Sequence, residues 1–176
     1  MRPVFVLSAR ALALSMVSVA WAGDAQPGTL CLQDERAIFS CLLKNTAKLV
    51  SLCGSRDLAE GSGYLQYRFG RKGKVELEFP SERRGSPKAF RHSLYTRYQV
   101  DRFSVSFSVA NYTYAVFDNY DGEMEPPTHE AGVAVAHSDE NPRELLCRGT
   151  GSGNLRELQS IIPCDKHDMS NAGGCS

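Results

Sequence analysis

The chain has 176 residues, of which 20 are basic and 20 are acidic. This balance argues against a nucleic-acid-binding protein, which usually carries a marked basic excess to neutralise phosphates. No apolar run approaches the roughly 20 residues that a membrane-spanning helix needs. We therefore expect neither a nucleic-acid partner nor a membrane span.

The first 22 residues predict a cleavable secretory signal peptide. Arg2 and Arg10 supply its positive charge, and residues 11–20 form a short apolar stretch. Ala20-Trp21-Ala22 has the small-x-small pattern of a cleavage site. Export places the rest of the chain in the periplasm or outside the cell.

Removal of this signal leaves residues 23–176, with 18 basic and 20 acidic residues and a net charge of −2. A segment of this length suits one domain with a sizeable core. We predict a single β-domain at residues 23–163, followed by a polar tail at 164–176.

The body of the chain has the pattern of successive β-strands joined by hairpin connections. The clearest strand is 103–109, where Phe103, Val105, Phe107 and Val109 alternate with serines, so that one face is buried. In chain order, the predicted strands cover residues 37–43, 49–53, 63–69, 74–79, 94–100, 103–109, 112–117, 133–136 and 144–148.

Two polar loops, 80–89 and 118–131, interrupt this succession, and helical spacing is found only at 154–162, which Pro163 ends. The pattern predicts an all-β fold, an antiparallel sandwich or partly open barrel of about eight strands with one short C-terminal helix. No parallel βαβ unit is visible, which disfavours doubly wound nucleotide-binding folds.

Six cysteines follow the predicted signal, and in an exported protein an even number indicates a disulfide framework. They are Cys31, Cys41, Cys53, Cys147, Cys164 and Cys175. Cys41 and Cys53 are equidistant from Ala47 and could face each other across a hairpin. Cys164 and Cys175 could close the tail, which leaves Cys31 to pair with Cys147. Since six cysteines allow 15 pairings, this pairing is a hypothesis.

Zinc binding is the alternative use of these residues. Cys164 and His167 are closely spaced, and Cys175 could be a third ligand. However, the chain has no C-x-x-C pair, and thiolates in an oxidising compartment tend to form disulfides. We therefore expect no metal and no cofactor.

No motif declares a reaction, because neither H-E-x-x-H nor G-x-S-x-G is present. A hydrolase could still assemble around His92 or His129, since catalytic triads have no fixed sequence order. The carboxylate pair Glu76/Glu78 lies on the polar face of a predicted strand, and Glu123/Glu125 lies in a loop. We expect no catalytic residue.

Several short segments resemble a family of small exported, mostly uncharacterised β-proteins of Gram-negative bacteria. These segments are Ile38-Phe39-Ser40-Cys41, Leu52-Cys53, Gly63-Tyr64-Leu65-Gln66-Tyr67-Arg68-Phe69-Gly70 and Val75-Glu76-Leu77-Glu78-Phe79-Pro80. In architecture and size the chain also resembles periplasmic immunity proteins and lysozyme inhibitors. Those proteins are disulfide-stapled β-domains that plug the cleft of a peptidoglycan-degrading enzyme with a loop.

The second resemblance implies a non-catalytic periplasmic binding protein, an immunity protein or inhibitor whose partner is a cell-wall hydrolase or secreted toxin. The connection between the two best-defined strands is the expected contact segment. It comprises Ser108, Val109, Ala110, Asn111 and Tyr112. Two alternatives remain open: a carrier of small molecules or lipids with a cavity inside a β-barrel, and a secreted hydrolase.

Overall fold

The computed structural model of the protein describes residues 28–138, 140–168, 171 and 175. The predicted signal peptide and its cleavage site lie outside the described residues. Two five-stranded antiparallel sheets pack face to face around one core, which confirms the predicted all-β sandwich. None of the helices in the described part of the chain is long and apolar enough to cross a membrane.

The first sheet is built mainly from the N-terminal half of the chain. Its strands are β1 (Glu35–Leu42), β2 (Leu49–Ser55), β3 (Leu65–Arg71), β4 (Lys74–Phe79) and the two-residue β10 (Ser152–Gly153). Their order across the sheet is β10-β1-β2-β3-β4. The late strand β10 therefore returns to cover the open edge of β1.

The second sheet is a meander in which consecutive strands are neighbours. Its strands are β5 (Arg91–Arg97), β6 (Val100–Val109), β7 (Tyr112–Asp121), β8 (Thr128–His137) and β9 (Arg143–Leu146). Two 3-10 helices complete the described part of the chain, one at Ser86–Ala89 and one at Leu155–Ser160.

Most of the predicted polar loop 118–131 is strand, so that prediction is wrong. Asp118 pairs with Ala131 and Asp121 pairs with Thr128, which extends the β7–β8 ladder well past Phe117. The side chains at this end of the ladder are polar and largely accessible, because the sandwich core does not reach them. Without a buried face, the sequence shows no alternation of apolar and polar residues there.

The predicted C-terminal helix is present as a 3-10 helix. Leu155 and Leu158 are its buried residues, and their spacing of three matches the period of that helix. The side chain of Asn154 accepts a hydrogen bond from the Arg156 backbone N–H at 3.0 Å and so caps the first turn. Both leucines belong to the core, and the helix packs beside β1 and β6.

Phe107 occupies the centre of the core. Its ring centroid lies 4.8 Å from that of Tyr67 and 4.6 Å from that of Phe79, both on the first sheet. On its own side it stacks on Tyr114 at 5.0 Å and meets Phe90 edge-on at 5.5 Å. Aromatic rings therefore fill the space between the sheets at this point.

Three disulfides staple the sandwich. They join Cys31 to Cys53, Cys41 to Cys147, and Cys164 to Cys175. The predicted Cys164–Cys175 bond is confirmed, whereas the predicted Cys41–Cys53 and Cys31–Cys147 bonds are wrong. The Cys41–Cys147 bond links β1 of the first sheet to the chain directly after β9 of the second.

The β1–β2 register explains the wrong pairing. Cys41 lies opposite Val50, and Cys53 lies opposite Ala37, because the hairpin turns before Ala47 and a bulge precedes Phe39. Cys41 and Val50 face the core, while Cys53 lies on the opposite face of the sheet, next to the segment that carries Cys31. Two cysteines on opposite faces of a sheet cannot form a bond.

The chain after the second 3-10 helix runs along the outer edge of β5. The backbone N–H of His92 donates to the Pro163 carbonyl at 2.9 Å, and the His92 carbonyl accepts from the Asp165 N–H at 2.8 Å. The side chain of Asn171 accepts a hydrogen bond from the Leu94 N–H at 2.7 Å. The tail closed by the third disulfide thus satisfies edge groups of this strand.

The disulfides should differ in their contribution to stability. The Cys41–Cys147 bond spans 106 residues and the Cys164–Cys175 bond spans 11. By chain entropy, replacing the first pair with alanine should lower the free energy of unfolding by about 5 kcal/mol, against about 3 kcal/mol for the second pair. Urea unfolding followed by circular dichroism measures both, and equal losses would contradict this account.

Candidate functional site

The five predicted contact residues lie at the β6–β7 hairpin. β6 and β7 pair residue for residue from Val100 opposite Asp121 to Val109 opposite Tyr112, so the connection contains only two residues. Of the five, Val109 is half-buried and packs against the core, so its side chain is not available to a partner. The other four residues are exposed at the end of the sandwich, with Tyr112 45% exposed.

Contacts with β8 hold this hairpin tip in place. The Ser138 backbone N–H donates to the Asn111 carbonyl at 2.9 Å. The ring of Tyr112 lies 4.8 Å from that of His137, centroid to centroid. Ser108 and Thr113 place their hydroxyls 3.4 Å apart across the ladder. Contacts among residues at the ends of β6, β7 and β8 therefore fix the position of the tip.

A second candidate site is a groove of about 600 Å³ on the outer face of the second sheet. Its side chains come from rows of cross-strand partners on this face. One row contains Tyr95, Arg102 and Asn119, and the next contains Ser93, Ser104 and Phe117. Ala115, Ala134 and Glu144 form the third row. We call this surface the outer groove.

Phe117 contributes apolar surface to the floor of the outer groove. It is 7% exposed but does not belong to the core between the sheets. Its partner across the ladder is Gly132, where a Cβ atom would lie 3.0 Å from Phe117 Cζ. The missing side chain at Gly132 lets the ring rest against β8. The sequence pattern could have predicted that Phe117 faces outward. Neighbouring residues of a strand point to opposite faces, and Val116 faces the core.

Several polar side chains in the outer groove have no partner in the part of the chain that the structure describes. Ser93, Ser104, Asn119 and Glu144 make no side-chain hydrogen bond or ion pair with another residue of the described ranges. They were not among the predicted site residues, because only the register of the five strands β5 to β9 brings them together.

The two arginines of the outer groove are neutralised at its rim. Arg97 forms an ion pair with Glu123, and Arg102 Nη2 lies 3.7 Å from Asp121 Oδ2. The hydrogen bond from Arg97 lowers the pKa of the Glu123 carboxyl, which keeps the pair ionised at neutral pH. The arginines therefore lend little excess positive charge to this surface.

His129 lies in a smaller cavity of about 210 Å³ at the end of the sandwich. Its Nε2 atom is 2.5 Å from Asp118 Oδ1, and Asp101 pairs with Arg156 in the same cavity. The lining side chains found in the described part of the chain include no Ser, Thr or Cys that could serve as a nucleophile. The cavity thus holds a His–Asp pair without the remaining member of a triad.

His92, the other histidine considered for hydrolysis, is buried. Its ring stacks on Phe103 with centroids 5.8 Å apart, and its Nδ1 lies 3.0 Å from the Ile162 carbonyl oxygen. Through these contacts the His92 side chain packs strand β5 against the C-terminal segment.

The outer face of the first sheet carries a buried ionic network. Arg68, 2% exposed, donates from Nη2 to Glu35 Oε1 at 3.0 Å and to Gln66 Oε1 at 2.7 Å, and from Nε to Glu78 Oε2 at 2.7 Å. The segment that carries Leu30 covers this network from outside. Its buried polar groups are thus paired internally and have no free capacity for a ligand.

The cysteines do not form a metal site. Cys31, Glu35 and Cys53 place potential ligand atoms within 4.8 Å of one another, but the two sulfurs are bonded together. The Cys164 and Cys175 sulfurs, which the zinc alternative required, also share a disulfide. A disulfide sulfur is not a thiolate and does not ligate zinc in that way.

No protein-family model, curated protein or solved structure matches the chain. The candidate functional surfaces of the described structure are the hairpin tip, the outer groove and the cavity around His129.

Acid should weaken the buried network through Glu35. Burial acts to raise the pKa of this carboxyl, but hydrogen bonds from Arg68 and the Leu32 N–H, with the charge of Arg68, bring it below its usual 4.5. Because the folded state has the lower pKa, the network contributes its full stability above about pH 4.5. That contribution is lost as the pH falls through the folded-state value.

The variant Glu35→Gln tests this dependence. We expect a loss of about 3 kcal/mol at pH 7 and a shallower decline of stability between pH 5 and pH 3 than in the wild type. Thermal unfolding across this pH range measures both. The exposed Glu130, which forms no ion pair with a described residue, provides the control Glu130→Gln. If the stability of Glu35→Gln fell as steeply between pH 5 and pH 3 as that of the wild type, the proposed role of Glu35 would be contradicted.

Proposed function

We propose that this protein is a non-catalytic binding protein of the Gram-negative periplasm, an immunity protein or inhibitor that blocks the cleft of a peptidoglycan-degrading enzyme. The hairpin tip at Ser108, Ala110, Asn111 and Tyr112 is the inserted element. The observation that carries this proposal is that His137 at the end of β8 and Ser138 after it contact an exposed two-residue turn. The three disulfides indicate an oxidising compartment, in agreement with export.

Preorganisation makes this tip suitable for insertion. The ladder between β6 and β7 is continuous up to the turn, and the Asn111 carbonyl is fixed by the Ser138 N–H. Such a segment loses little conformational freedom on binding, so that less of the contact energy is spent on ordering. Tyr112 offers a large aromatic surface, and its ring contacts that of His137. Tyrosine is among the residue types that dominate binding energy at protein interfaces.

The chemistry of the tip also matches a glycosidase cleft. Such clefts contain a pair of carboxyl groups. The exposed tip residues carry no charge that would repel them. The side-chain amide of Asn111 and the hydroxyl of Ser108 can each donate a hydrogen bond to a carboxylate. In the described chain, the Asn111 side chain makes no internal hydrogen bond that would compete.

The structural features favour this proposal over the two alternatives. A carrier with an interior cavity needs space between its sheets, where Phe107 is surrounded by other rings. A hydrolase built on His92 would need to release that ring from Phe103 and Ile162. A hydrolase built on His129 would need a nucleophile that is missing from the described lining of its cavity.

Inhibition of wall hydrolases tests the proposal. Purified peptidoglycan sacculi are digested by lysozymes, a lytic transglycosylase, an amidase and any wall hydrolase encoded beside the gene. We expect an equimolar amount of the protein to slow fragment release at least tenfold for one of these enzymes. That enzyme should form a 1:1 complex with the protein. If none of them is inhibited, the inhibitor function is rejected.

Two variants locate the contact. Asn111→Trp and Tyr112→Ala should each reduce inhibition at least tenfold, since one obstructs the tip and the other removes its aromatic anchor. The matched control is Ser104→Trp, which places the same bulk on β6 about 13 Å from Ser108 along the strand. Inhibition that survives both Asn111→Trp and Tyr112→Ala would show that another surface binds the enzyme.

A further inference from the structure

The outer groove lies on the outer face of the second sheet, and its residue Ser104 is about 13 Å along β6 from Ser108 of the hairpin tip. We propose that this groove binds a short, neutral glycan segment. This inference goes beyond the inhibitor function and does not depend on it. It rests on the groove's shape, its unpartnered polar groups, its charge and its aromatic residues.

The shape suits a small ligand. A volume of about 600 Å³ lies within the roughly 300–1,000 Å³ that small-molecule sites occupy. The groove is a depression in the sheet surface because small side chains line it, among them Ser104, Ala115 and Ala134. These residues belong to β6, β7 and β8, the inner strands of the sheet, so the surface is formed by rigid elements and not by loops.

Hydrogen-bonding groups select a polar ligand. The hydroxyls of Ser93 and Ser104 and the amide of Asn119 can each donate and accept, and the carboxylate of Glu144 accepts. None of them is engaged by another side chain or backbone group of the described residues. An apolar ligand that covered them would leave each buried group unsatisfied, at a cost of about 1–3 kcal/mol. Neighbouring sugar hydroxyls both donate and accept and so match this set.

Charge disfavours an anionic ligand. Arg97 and Arg102 are offset by Glu123 and Asp121 at the rim, and Glu144 has no basic partner among the described residues. These five groups sum to a formal charge of −1. A phosphate-rich ligand, such as a nucleic acid or a phospholipid headgroup, would lack the basic excess that binds it.

The apolar part of the groove fits the C–H face of a sugar ring better than an acyl chain. Phe117 on the floor and Tyr95 in the adjacent row are the aromatic residues that face outward, and Ala115 and Ala134 add their methyl groups. Phe103 also borders the groove, but its ring belongs to the core between the sheets. An acyl chain would require a predominantly hydrophobic lining. An extended peptide would be expected to pair with a sheet edge, since its affinity comes from backbone hydrogen bonds.

Titration with neutral tetrasaccharides tests this proposal. Chitotetraose, cellotetraose and maltotetraose are added to the isotopically labelled wild-type protein, and amide chemical shifts are recorded. We expect saturable changes centred on Ser104, Phe117 and Asn119 with at least one sugar. A heparin tetrasaccharide and phosphatidylglycerol vesicles serve as anionic probes and should cause no saturable change at these residues.

Matched variants separate this groove from the hairpin tip. Asn119→Ala and Ser104→Trp should weaken sugar binding at least tenfold, the first by removing hydrogen bonds and the second by filling the groove. Asn111→Trp should leave the affinity within twofold, and the amide spectra of all three variants report their folding. The proposal is overturned if no neutral sugar binds, if the shifts fall outside the groove, or if only the anionic probes bind.

The outcomes for the two proposals are independent. Loss of sugar binding in Asn119→Ala with hydrolase inhibition intact would support the outer groove as a separate site. Inhibition without sugar binding by the wild type would overturn the groove alone. Sugar binding without inhibition of any hydrolase would overturn the hairpin proposal and leave the groove as the binding site.

Discussion

The alternation of side chains along β6 is the constraint on which both candidate surfaces depend. Phe103, Val105 and Phe107 point inward, and the ring of Phe107 joins the aromatic residues of the two sheets. The serines between them must then point outward, so the same strand that anchors the core also lines the groove. At its end β6 delivers Ser108 to the hairpin tip. A shift of register by one residue would exchange the two faces and remove core, groove and tip together.

The outer face of the first sheet is covered, whereas the outer face of the second sheet is open. On the first sheet, Arg68 and Glu35 are covered by the segment around Leu30, which the Cys31–Cys53 bond fixes in place. Every buried polar group described there has a partner. On the second sheet, the side chains of the groove residues Asn119 and Glu144 have no hydrogen-bond or ion-pair partner within the described ranges. The outer face of the first sheet is thus covered and internally paired, whereas that of the second sheet, where we propose binding, is open.

Local patterns in the sequence predict the all-β class and the strand 103–109, because one face of that strand is buried throughout. They fail where the cause is not local. The bulge before Phe39 sets the cross-strand partner of Cys53, and nothing in the sequence around it marks the shift. The outer groove depends on the register of several strands, so its residues are scattered from Ser93 to Glu144 in sequence. Only the hairpin tip could be proposed in advance, because its residues are contiguous.

The tail beyond Pro163 has a consequence for how the protein behaves before its disulfides form. Its hydrogen bonds to His92 and Leu94 occupy edge groups of β5, and the Cys164–Cys175 bond closes the tail on itself. An uncovered edge strand is a template for pairing with another chain. Reduction that released this tail would therefore expose a strand able to recruit a second molecule, so the third disulfide would guard the edge against aggregation as well as stabilise the fold.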